Sequence, residues 1–177
     1  MMYKKALSLL LPLLVFTVAS CDLVDPISFL LDGGEVIFDV PEQAEATELS
    51  FAENNVETGI AAELDDNNVE VDRLQSIKPE TVTLRLISPP DGVSFDIIDE
   101  ATVSIGAAGL STISFSQADL TSVSGTEATL NVQDVEMLEL LKKDRINYLL
   151  TLTTNAPVPA PFQVGVTVEF TVDAEIL

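Results

Sequence analysis

The 177-residue chain has no histidine, no tryptophan and one cysteine, with two tyrosines and eight basic residues against 29 acidic ones. Each shortage closes a class of chemistry. Without histidine there is no Ser-His-Asp or Cys-His arrangement and no imidazole metal site. The single Cys21 has no partner for an internal disulfide. Beyond Tyr3, Tyr148 is the only tyrosine, so little is available to stack on sugar rings. The formal charge of −21 leaves no basic patch to displace counterions, and no nucleic-acid partner is expected. No glycine-rich phosphate loop leads from a strand into a helix.

Carboxylates are what the chain has in abundance. A pair of them suffices for glycoside hydrolysis. Asp99-Glu100 is such a pair in sequence, but adjacent acids in a loop are ordinarily solvated. The expectation is a protein that is not an enzyme and uses no cofactor.

The first 21 residues carry the sharpest signal. Met1-Met2-Tyr3-Lys4-Lys5 is a short basic start, an apolar run extends from Ala6 to Ala19, and small residues follow. That is the pattern of a cleaved secretory signal. The run is shorter than the ~20 residues of a membrane-spanning helix. Val18-Ala19-Ser20-Cys21 resembles the lipobox of bacterial lipoproteins. The resemblance covers these residues alone. It implies a diacylglyceryl group on the Cys21 sulfur, cleavage before Cys21 and acylation of the new N-terminus. It places the protein in the bacterial cell envelope, on an outer membrane or the outer face of a cytoplasmic membrane. Its partner is then the membrane itself, through the N-terminal lipid anchor. Asp22 resembles the inner-membrane retention signal of enteric bacteria.

Residues 1–20 are thus read as signal, 21–34 as a membrane tether and 35–177 as one domain. Removing 20 residues from 177 leaves 157, enough for one core without disulfides. The acids crowd toward the start: from Asp22 to Asp72 there is no basic residue. Within that stretch, Asp65-Asp66-Asn67-Asn68-Val69-Glu70-Val71-Asp72 concentrates the oxygen ligands calcium prefers. It fails the EF-hand pattern in both registers, because the sixth position is Glu70 or Val71 where glycine is required. Asp65, Asp66, Asn67 and Asp72 remain calcium candidates, set against a plain polar turn.

Past the Gly33-Gly34 break, Val36, Phe38 and Val40 alternate with polar neighbours until Pro41. A second strand is expected from Thr47 to Val56, with Leu49 and Phe51 on one face. A helix over Thr58–Asp66, capped by Thr58, would put Ile60 and Leu64 on one face. Val69 to Ile77 reads as strand or short helix. Val82, Leu84 and Leu86 mark a strand, and Pro89-Pro90-Asp91-Gly92 a turn. A hairpin is expected across Gly106-Ala107-Ala108-Gly109, and a strand over Thr126–Val132. Asp134–Lys143 reads as a helix capped by Asp134, with Val135, Leu138 and Leu141 as its apolar stripe and Met137 beside it. Ile146, Tyr148, Leu150 and Leu152 alternate, and so do Phe162 to Val172, the cleanest period-two run. A strand that long must bend, fray or bulge, with Gly165 the expected bulge.

Seven or eight alternating strands with one good helix predict an all-β fold. The expected form is an antiparallel β-sandwich, immunoglobulin-like or jelly-roll-like, with a short crossover helix near 134–143. The expected role is a non-catalytic binding or structural module of the cell envelope, with a protein partner there. The rival readings are a calcium-dependent adhesion or assembly module and a carrier of an apolar ligand between the sheets.

Overall fold

A computed structural model describes residues 26–175. Strands β1 (Pro26–Val40), β2 (Glu48–Glu57), β3 (Leu74–Ile87), β4 (Ile98–Gly106), β5 (Ile113–Asp119), β6 (Glu127–Leu130), β7 (Arg145–Thr154) and β8 (Phe162–Glu175) form two four-stranded sheets. The orders are β1-β8-β3-β6 and β2-β7-β4-β5. All pairings are antiparallel: β1 with β8, β2 with β7, β3 with β6 and β4 with β5. First therefore pairs with last, second with second-last, and so inward. An eight-stranded ribbon folded at its middle and rolled into two sheets gives this order, which is the jelly roll. The sandwich was expected; the pairing decides between its two forms.

The alternating runs bury the faces expected of them. Val36, Phe38 and Val40 lie inside, as do Val82, Leu84 and Leu86, and every second residue from Phe162 to Val172. Tyr148 and Phe115 from one sheet and Phe170 and Leu31 from the other are all fully buried. Large side chains thus fill the space between the sheets.

Strand β1 begins at Pro26, nine residues before the expected Glu35, so residues 26–34 of the supposed tether are sheet. Ile27 to Asp32 pair in unbroken register with Ala174 to Glu169. The register then shifts between Asp32 and Glu35, which makes Gly33-Gly34 a bulge rather than a domain boundary. Gly34 has φ of 72°, the left-handed region glycine tolerates best. A Cβ on Gly33 would sit 2.8 Å from the Val168 carbonyl oxygen, so β8 leaves room only for glycine there. Strand β3 bulges twice, between Leu74 and Ser76 and between Pro79 and Thr81. The strands on both sides of β8 therefore bulge beside Val168–Phe170, where the long strand needs extra twist. The bulge expected at Gly165 is not there.

Two helix expectations need correction. The first helix, α1, runs Ile60–Asp66 and buries Ile60 and Leu64 as expected, but Gly59 precedes it and Thr58 does not cap it. The Thr58 hydroxyl donates instead to the Lys143 carbonyl. The second, α2, is one turn, Leu138–Leu141. Asp134 pairs with Lys78 at 2.7 Å rather than capping, and residues 134–137 cross from one sheet to the other. The buried face becomes Met137, Leu140 and Leu141, while Val135 and Leu138 are only partly covered.

Candidate functional site

Cys21, the lipidation candidate, lies outside the described residues. Only Asp22, Leu23, Val24 and Asp25 separate it from β1. Five steps of extended chain reach about 17 Å at ~3.5 Å each. An anchor at Cys21 would therefore hold the sandwich against the bilayer by the end where β1 starts. Strand β8 returns to that same end at Glu175, opposite Pro26.

The calcium candidates do not converge. Asp65 and Asp66 close α1, Asn67 follows as its C-cap, and Asp72 lies in a separate 3-10 turn, all exposed. The Asn67 side chain folds back on the helix, its Nδ2 donating to the Glu63 carbonyl at 2.8 Å. Among the described residues no group of three or more acids or cysteines is arranged to hold a metal. Asp99 and Glu100 take different partners. Asp99 accepts from the Asn155 amide at 2.7 Å, and Glu100 accepts from Gln117.

Two carboxylates have structural duties that the sequence alone did not suggest. Glu136 accepts hydrogen bonds from the Ile77, Met137 and Leu138 backbone N–H groups at 2.9–3.0 Å and from the Ser76 hydroxyl at 2.7 Å. It thereby satisfies the open N–H groups at the start of α2 and ties the crossover to β3. Partial burial pushes its pKa up, but the four donors outweigh burial and leave it below the ordinary carboxylate value. Glu35 is gripped by Arg85, which donates at 2.7 and 2.9 Å from one nitrogen and 3.1 Å from another. By contrast, burial and then the nearby Asp32 carboxylate push the Tyr148 phenol up to about 12.

Among the described residues, a candidate ligand site lies at the Val40 end of β1. A cleft of about 610 Å³ is walled by Val40, Pro41, Phe51, Ile87, Ser88, Pro161 and Phe162, with Asp39 and Gln163 at its edge. Pro41 and Pro161 end the neighbouring strands β1 and β8, since proline has no N–H to continue a ladder. Ser88 turns the chain out of β3 with φ of 49°. Phe51 projects from β2 of the other sheet. The lining is mostly apolar and reached from solvent. An apolar ligand would find its place here, at the rim, rather than between the sheets.

No family model matches the chain, and no curated protein matches it. Solved structures with partial likeness include infectious bursal disease virus Gx strain, at 12% identity and TM-score 0.38, covering 85% of this chain and 32% of that one. Triatoma virus aligns at 10% identity and TM-score 0.38, over 100% of this chain and 79% of that one. The Triatoma virus empty capsid gives 10% and 0.36, over 83% and 89%. The chain spans about a third of the first of these. Such scores carry no argument about function, and the fold rests on the strand order itself.

Proposed function

We propose that this is a lipid-anchored, non-catalytic protein of the bacterial cell envelope whose jelly roll presents a binding rim away from the membrane. The observation that carries the reading is the spacing of Val18-Ala19-Ser20-Cys21 from the domain: four residues lie between Cys21 and Pro26. So short a link supports a membrane-proximal β1 start. The cleft at Val40 and Phe162 then lies about 45 Å along the strand, at ~3.3 Å per residue. The lack of histidine supports a binding role over catalysis.

The test is expression of the full chain in a lipidating bacterium, followed by detergent phase partitioning. The wild type is expected in the detergent phase and Cys21→Ser in the aqueous phase or as uncleaved precursor. Equal partitioning of processed wild type and variant into the aqueous phase would reject the anchor.

A further inference from the structure

The cleft continues along the open side of the sandwich. Beside it lies a second hollow of about 480 Å³, walled in part by Glu35, Ile37, Glu53 and Val56, and the two share Asp39 and Gln163. They form one furrow between β1 and β2. Both strands are sheet edges, β1 pairing only with β8 and β2 only with β7. Each therefore offers an unpaired row of backbone N–H and C=O groups. The apolar residues here are left half-covered: no residue of β2 is fully buried, and Ile37 is 44% exposed. The partner strand β7, in contrast, buries every second residue.

We propose that this furrow docks an extended, positively charged segment of a partner protein as an added strand. The segment pairs with the free edge of β1 between Glu35 and Val40. It seats apolar side chains against Phe51 and Phe162 and basic ones on Asp39 and Glu53. Edge addition takes affinity from main-chain bonds and specificity from alternate side chains.

Charge selects the occupant. The furrow is lined by Asp39 and Glu53 with no lysine or arginine in its walls, while its third acid, Glu35, is already paired with Arg85. Strands β1 and β2 contain no basic residue at all. A second copy of the chain would bring the same acidic edge and be repelled, and so would a fatty carboxylate. The described chain enters β1 at Pro26 and leaves β8 at Glu175, at the opposite end of these strands from the cleft. The inference rests on the domain alone and stands whether or not Cys21 is lipidated.

The test uses the full-length protein in a non-ionic detergent and a fluorescein-labelled octapeptide, Lys-Val-Lys-Phe-Lys-Val-Lys-Val, followed by anisotropy. Saturable one-to-one binding is expected. Phe51→Ser is expected to weaken it about tenfold, as loss of an aromatic anchor does. A peptide of the same composition with its lysines in one block is expected to bind as weakly. Asp39→Lys with Glu53→Lys is expected to reverse the preference toward the same peptide with glutamate in place of lysine. Three results would overturn the proposal: no saturable binding, equal binding of the block peptide and by both variants, or displacement of the peptide by palmitate, which would give the cleft to a lipid.

Discussion

Arg85 holds Glu35 from two strands away. The two residues stand on β3 and β1, with β8 between them, and their side chains meet over Gly165. A Cβ at 165 would run into the Glu35 carboxylate. The glycine is therefore the open floor on which the ion pair lies, and not a bulge. Both partners are partly exposed, at 50% and 33%, so the pair itself contributes only ~0.5–1 kcal/mol.

Gly165→Ala tests that relationship by coupling. Urea unfolding should show the substitution destabilising the wild type but not a Glu35→Ala background, a non-additivity of ~0.5–1 kcal/mol. Equal effects in both backgrounds would mean that the glycine serves β8 itself.

The same region explains what was legible in the sequence. From Ile27 through Phe29 to Leu31 the odd positions point inward, whereas from Val36 to Val40 the even ones do. The Gly33-Gly34 bulge flips the phase between them, so a search for one alternating run finds only the second half. Strand β3 hides in the same way. Leu74, Ile77, Pro79 and Val82 are all buried, and the extra residues Gln75 and Glu80 break their spacing. Unbulged β8 shows its pattern whole. The rim cleft was not legible, because Val40, Phe51, Ile87 and Phe162 meet only through pairings far apart in sequence. Glu136 was missed for a related reason: its donors include Ser76 and Ile77, some sixty residues earlier.

Glu136 sets an acid-sensitive contact. Its pKa is lower folded than unfolded. Its contribution is therefore complete above the ordinary value of 4.5 and is lost as pH falls through the lower folded value. Glu136→Gln cannot accept all four hydrogen bonds and is expected to cost ~1–3 kcal/mol at pH 7. In urea unfolding the gap between variant and wild type should narrow on acidification below that value. Protonation of the other acids relieves repulsion in both proteins, so the difference isolates Glu136. A gap independent of pH would assign the loss to packing.

Phe170 and Thr171 are neighbours on β8 with opposite fates. Phe170 is 1% exposed, and Phe170→Ala is expected to cost ~3–5 kcal/mol. The Thr171 hydroxyl donates to Glu80 on the solvent side at 3.1 Å, and Thr171→Ala is expected to cost ~1 kcal/mol or less. Similar denaturation midpoints for the two variants would contradict the assigned faces.

Salt and calcium should act differently. At a formal −21, self-repulsion is screened over ~8–10 Å at moderate ionic strength, so Tm is expected to rise with sodium chloride. At constant ionic strength calcium is expected to add no saturable rise, because Asp65, Asp66, Asn67 and Asp72 lie exposed and apart. A saturable rise abolished by Asp65→Asn with Asp66→Asn would restore the calcium-dependent reading.

The proposed lipid anchor beside the start of β1 is read by mass spectrometry of the mature N-terminal peptide. From full-length protein expressed in a lipidating bacterium, the expected first residue is Cys21, carrying the mass of a diacylglyceryl group and a further acyl chain. A mature N-terminus at any other residue, or an unmodified Cys21, would contradict it.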